Sequence, residues 1–152
     1  MAGLTNKGKY NTLDWCFRTA STPTNLYVAL VTSAVAPDPD TNTFGQLTEI
    51  AAGNGYTTGG YQLTPNDTDF DVLTEVDASD RADMQIKDVT WSAAGGSIPD
   101  SGDGARYAVL IDDDGVVADR EVLGWWDLES DRTVSNGQDL TLQDLEIRLQ
   151  ET

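Results

Sequence analysis

Histidine is absent from this chain, cysteine occurs once and lysine only at positions 7, 9 and 87. The first absence removes the commonest general base, the commonest metal ligand and every Ser-His or Cys-His arrangement. The single cysteine, Cys16, cannot form an internal disulfide, and without histidine it cannot complete a zinc site within one chain. It is expected to pack as a small apolar residue on an N-terminal helix. With nine basic residues against 26 acidic ones the formal charge is -17. Nucleic acid and anionic membranes are therefore poor partners, because binding either depends on cations that neutralise phosphate. Few lysines in a very acidic chain also suit strong salt, where screening removes self-repulsion, so a saline or halophilic source is expected, with an ordinary acidic protein as the alternative. No apolar run is long enough to span a bilayer, and residues 1–20 carry Lys7, Lys9, Asp14 and Arg18 in place of an apolar signal-peptide region. A soluble protein is the expectation.

What is present fits one domain over residues 1–152, a length that buries roughly 70% of the unfolded surface without staples. Tyr10, Leu13, Phe17 and Ala20 recur at helical spacing, which predicts a short amphipathic helix over residues 5–20, capped by Thr5 or Asn6, weakened at Gly8 and ended by Pro23. No second helical period follows. Strand patterns occupy residues 26–33, 56–64, 82–92, 105–112, 120–128 and 139–149, separated by turn chemistry such as "PDPDTNT" (37–43), "DDDG" (112–115) and "SNGQ" (135–138). The fold class is mainly β, a β-sandwich or barrel-like domain with one short N-terminal helix. In the last segment Leu140 and Leu142 are out of phase with Leu145, Ile147 and Leu149, which calls for a bulge near Gln143 and Asp144.

Three strands are apolar on both faces. "LYVALVTS" (26–33) alternates Leu26, Val28 and Leu30 with Tyr27, Ala29 and Val31, and residues 107–111 and 122–126 repeat the pattern. A two-layer β domain leaves one face of each strand wet unless a helix, a loop or another subunit covers it. The opposing sheet and the 5–20 helix are expected to cover the first strand. The unmet burial then falls on residues 105–112 and 120–128, making Tyr107, Val109, Leu123, Trp125 and Trp126 the interface candidates of a homo-oligomer. Trp125 and Trp126 face opposite ways on a strand, so one belongs to the core; the other is either an interface anchor or covered by a loop of the same chain.

Signals for chemistry are sparse. Asp67, Asp69 and Asp71 alternate as calcium ligands often do, yet Val72 stands where an EF-hand needs glycine and Ala78 where it needs the bidentate acid. Solvated turns in an acidic surface are the preferred reading, and no metal or other cofactor is assigned. Asp69 with Asp71, or Asp112 with Asp114, are local carboxylate pairs for glycosidase-type work, but their turn-like surroundings lack the apolar pocket that raises an acid catalyst's pKa. "GNGYTTGG" (53–60) holds no GxGxxG or Walker pattern. A non-enzymatic protein is expected. A carbohydrate-binding sandwich stacking sugars on Trp125, Trp126 or Tyr61 remains the alternative of another class.

The order of segments is more informative than any one of them. A short helix, then "PTNLYVALVTSAVAPDPDTNT", "GNGYTTGGYQLT", "VTWSAAGGSIP", "ARYAVLIDDDG" and "DRTVSNGQDLTLQDLEIRL" resembles a family of small tailed-phage virion proteins of the head-decoration or tail-fibre-like kind. Residues 27–32, "YVALVT", match its "YVALHT" strand with Val31 in place of histidine, and "GGY" (59–61) matches in place with Gln62 departing from the usual continuation. The resemblance covers most of the chain through short apolar motifs. It implies a virion structural protein made in the host cytoplasm that binds other copies and a major capsid or tail protein. A single domain without fibrous repeats or heptads favours decoration of the outer capsid over a tail, baseplate or fibre role.

Overall fold

A computed structural model describes residues 2–18 and 20–150. In chain order the elements are β1 (Ala2–Leu4), α1 (Asn6–Phe17), β2 (Leu26–Val31), β3 (Tyr61–Leu63), β4 (Val72–Val76), β5 (Arg81–Ile86), β6 (Val89–Ser92), β7 (Ala105–Ile111), β8 (Val122–Arg132), β9 (Asp139–Leu142) and β10 (Leu145–Gln150), with short 3-10 turns at 44–46, 77–79 and 117–119. The domain is mainly β with one helix near the N-terminus, and its antiparallel sheets form a sandwich-like arrangement. One layer is a five-stranded sheet ordered β1-β8-β7-β2-β3; the other comprises the three-stranded β10-β5-β4 and the two-stranded β6-β9.

The second layer is one long ribbon bent in the middle. Ile86 pairs with Leu145 and Val89 with Leu142, so residues 81–92 and 139–150 keep the same register on both sides of the break. The expected bulge at Gln143 and Asp144 is therefore a kink without an extra residue: two residues on each strand leave the ladder, and Asp144 takes φ 54°. Gln143 donates to Asp88 (3.0 Å), Gln85 to Asp144 (3.1 Å), and the Lys87 N–H to the Asp69 carbonyl (3.0 Å). This kink lets Leu140 and Leu142 face the core on one side and Leu145 on the other despite their opposite parity.

The core lies on both faces of the five-stranded sheet. Leu26, Val28, Leu30, Ala108, Leu110 and Trp126 meet Ile86, Val89, Trp91, Leu140, Leu142 and Leu145 in the larger cluster. On the reverse face Ala29, Val31, Val109, Ile111 and Val122 are sealed by Phe44 and Leu47. The Pro/Asp-rich segment, not the helix, thus covers the second side of "LYVALVTS". It is stitched down through Phe44 N–H to Arg120 O (2.8 Å), Val122 N–H to Asn42 O (2.9 Å) and Thr32 N–H to Thr48 O (2.9 Å). Gly60 of "GGY" runs so close over β2 that a Cβ would stand 2.2 Å from the Val28 carbonyl oxygen, a position at φ +86° that only glycine fills without strain.

Helix α1 is docked by the face opposite to the expected one. Thr5 caps it, accepting from the Gly8 N–H at 2.8 Å and hydrogen-bonding the Val122 carbonyl. Gly8 and Asn11 are buried and Trp15 is half-buried, whereas Tyr10, Leu13 and Phe17 are 54%, 60% and 80% exposed. Cys16 is exposed, so it does not pack as a core residue. The helix sits flush on the β8 backbone, which demands a small residue and leaves the larger apolar stripe outside. No helix among the described residues is long and apolar enough to cross a membrane.

Candidate functional site: an apolar groove with an acidic rim

Strand β4 lies inside the acidic stretch that sequence patterning assigns to turns. Its residues 72–76 alternate modestly, and neighbouring aspartates at 67, 69, 71, 77 and 80 mask the period. Pairing with β5 and then β10 aligns Leu73, Met84 and Ile147 in one row and Glu75, Ala82 and Leu149 in the next. The opposite face carries Thr74, Asp83 and Arg148 together with Gln85 and Glu146. There Asp83 is held below the usual carboxylate range, burial opposing and the Arg148 and Arg81 guanidiniums outweighing it. Period-two alternation makes this small sheet apolar on one side, Glu75 at its outer edge excepted, and ion-paired on the other.

The apolar side does not close on the rest of the molecule. It bounds a groove of about 230 Å³ whose other wall includes Trp15 of α1, Leu26 and Phe70. Leu73 at its lip is 71% exposed and Leu149 is 48% exposed. The mouth beside Phe70 continues past Pro65 to Asp67, and the far end runs to Glu75, Asp77 and Asp80. The Tyr10–Leu13–Phe17 stripe on the outer side of α1 is a second exposed apolar surface among the described residues of a chain charged at -17.

The five interface candidates read from the sequence are distributed differently. Val109, Leu123 and Trp126 are buried in the chain's own core, and the Trp126 ring N–H donates to the Glu146 carbonyl at 2.8 Å. Tyr107 and Trp125 are half-buried against the Phe44–Leu47 cover. The unmet burial has moved from β7 and β8 to α1 and the β4-β5-β10 sheet, because a loop and the helix backbone cover what sequence periodicity leaves bare. Nor do the three aromatic residues form open stacking platforms. Besides Trp126, Trp125 lies beneath Gly3, and Tyr61 packs edge-on against Trp91 with ring centroids 6.2 Å apart while Lys87 sits over its ring.

Asp69 and Asp112 have structural partners, and Asp114 accepts from the Val116 N–H at 2.8 Å. Asp69 is buried, accepts from the Thr64 N–H at 2.7 Å and pairs with Lys87 at 2.5 Å; Lys87, first by its hydrogen bond, holds the Asp69 carboxyl below its usual range. Asp67 and Asp71 are exposed, and no group of three or more potential ligands converges on a metal position among the described residues. Asp112 accepts from the Glu121 N–H at 2.9 Å, and burial raises its pKa. Burial pushes Glu121 the same way, but Asn11 (2.6 Å) and Lys7 (2.9 Å) outweigh it and hold the group low. This contrast belongs to helix docking: Asn11 and Lys7 are the groups that tie α1 to Glu121. Asp113, for its part, caps the N–H groups of Thr24 and Asn25.

A further polar network was not legible in the sequence. The Leu30 N–H donates to the Tyr56 hydroxyl, which donates to Glu49 at 2.9 Å, and Glu49 also accepts from the Gly59 N–H at 2.7 Å. Burial raises the Glu49 pKa, with the Gly59 and Tyr56 hydrogen bonds and the Arg120 charge opposing it. The network anchors the glycine-rich loop to β2. Compared with known proteins, the chain matches no family model, no curated protein and no solved structure.

Proposed function

We propose that this chain is a non-enzymatic structural component of a tailed-virus virion, a capsid decoration protein docked as an oligomer on the outer capsid surface. The order of its sequence segments motivates the reading. The observation that carries it is apolar surface left uncovered at two places, the outer stripe of α1 with Phe17 80% exposed and the lip of the β4-β5-β10 groove with Leu73 71% exposed. Apolar patches rimmed by polar groups mark docking surfaces, and of the carboxylates that sequence reasoning offers for catalysis Asp69 is ion-paired and Asp112 and Asp114 accept backbone N–H groups, while Asp71 is exposed. An acidic exterior suits a place outside the shell, away from packaged DNA.

Immunogold labelling and quantitative gel analysis of purified virions test the proposal. Labelling over the head at a copy number comparable to the capsid protein is expected. A few copies at the tail reassign the protein to that structure, and absence from particles overturns the virion reading.

A further inference from the structure

Strand β4 is the outer strand of its sheet, and its ladder partner is β5 alone. An antiparallel edge strand turns alternate N–H and C=O groups outward, a template for one more strand. Natural edges are blunted by charged side chains, lysine above all, by proline, by bulges or by a covering element, and the charge on this edge is wholly acidic, Glu75 within the strand and Asp71 and Asp77 beside it. Residues 72–76, "VLTEV", contain neither lysine nor proline, pair with β5 without a register shift, and are almost wholly exposed. The other edge differs, since β10 lies beside β1 and its Glu146 carbonyl receives the Trp126 ring N–H.

We propose that the β4 edge receives an extended segment of a partner protein as a fourth strand, apolar on the groove side and flanked by lysine or arginine. The inference rests on the reading of this chain as a docking component and names the partner's chemistry. A strand added beside β4 lays every second side chain on the face that carries Leu73 and Met84, next to Phe70, so the positions beside Leu73 are apolar, and the same face ends in Glu75, where the charged flank begins. The flanks are set by charge. Asp67, Asp71, Glu75, Asp77 and Asp80 are all exposed around this edge, while the nearest cation, Arg81, is paired with Asp83 at 2.9 Å. A second copy is the wrong occupant on the same ground. Antiparallel pairing of two β4 strands about Thr74 sets Asp71 opposite Asp77 and Leu73 opposite Glu75, and like charges directly opposite are destabilising.

The test uses the full chain and two peptides that alternate valine and threonine, one ended by paired lysines and one by paired glutamates. Saturable binding of the lysine peptide is expected, with hydrogen-exchange protection gained at residues 72–76. The double variant Glu75→Lys with Asp77→Lys, at exposed positions that leave the circular dichroism unchanged, is expected to weaken the lysine peptide roughly tenfold or more and to gain affinity for the glutamate peptide. Leu73→Ser weakens the lysine peptide without altering charge preference. Equal binding to the double variant, protection elsewhere, no saturable binding, or protection of residues 72–76 by self-association without peptide would each overturn the inference. Peptide binding by a chain absent from virions leaves the edge site standing and removes only the virion reading.

Discussion

Gly8 of the helix lies against Leu123 of β8 so closely that a Cβ on it would stand 2.0 Å from the Leu123 carbonyl oxygen. Glycine in a helix ordinarily costs about 1 kcal/mol relative to alanine, so Gly8→Ala at an indifferent site would stabilise. Here the obstacle is backbone, which cannot rotate away, and overpacking of this kind costs about 1–3 kcal/mol. Gly8→Ala is therefore expected to destabilise, and to lift α1 enough to expose Trp15. Chemical denaturation gives the first effect and increased acrylamide quenching of tryptophan fluorescence the second. A stabilised variant with unchanged quenching would refute the flush docking.

Phe44 and Phe17 give the opposite contrast. Phe44 is 4% exposed and plugs the reverse face of the five-stranded sheet, while Phe17 is 80% exposed. Phe44→Ala is expected to cost about 3–5 kcal/mol, and Phe17→Ser to stay within about 0.5 kcal/mol. Urea midpoints of the two variants decide it. Similar values would mean that the segment over residues 37–47 does not seal the second core.

The contrast also explains how far the sequence was legible. Strand β2 and the apolar part of β7 are readable because long alternating apolar runs need burial wherever the rest of the chain goes. The helix exists where its spacing predicts, but periodicity cannot tell which of two stripes faces inward. A glycine against a strand backbone outweighs the larger stripe of Tyr10, Leu13 and Phe17. The cover formed by Phe44 and Leu47 comes from a stretch whose prolines and aspartates signal only a turn. Strand β4 was hidden because acidic flanks mask its short alternation, and with it went the groove. The kink at Asp144 was visible as a phase fault, although its symmetric partner at Lys87 and Asp88 became plain only once the two strands were paired.

Buried Asp69 and half-buried Glu49 are expected to titrate in opposite directions. Asp69, held low by the Lys87 hydrogen bond and the Thr64 N–H, contributes stability that is present above the ordinary Asp value and lost as pH falls through its depressed folded value. Glu49, raised by burial, does the reverse: protonation favours the folded state, and stability declines as pH rises from the ordinary Glu value through the raised one. Carboxyl-carbon NMR titration is expected to place Asp69 below and Glu49 above their unfolded values. Lys87→Met should return Asp69 upward, and Glu49→Gln, whose amide oxygen still accepts from Tyr56 and Gly59, should flatten the second slope. An unmoved Asp69 in Lys87→Met would assign its shift to Thr64 alone.

Salt provides the test of the surface as a whole. At a formal charge of -17 the folded state crowds like charges that the unfolded chain spreads apart, so compactness costs free energy that screening returns. The Debye length falls from about 30 Å at ~0.01 M to about 3 Å at ~1 M salt. A recovered penalty of a few kcal/mol corresponds to a Tm rise of about 5–10 °C for a domain of this size. Asp103 and Asp131 illustrate the local source, since both are exposed and flank Gly104, whose Cβ would stand 3.1 Å from that of Asp131, with the Arg106 charge offsetting part of the repulsion at Asp131. The double variant Asp103→Asn with Asp131→Asn is expected to raise Tm in low salt and leave it unchanged near ~1 M. Calorimetry across sodium chloride concentrations separates two causes by the shape of the curve. Screening saturates as the Debye length drops below the spacing of the charges, whereas exclusion of salt from apolar surface keeps raising Tm in proportion to concentration. A linear rise that is identical in the double variant would place the salt response in the apolar core and remove the acidic surface from its explanation.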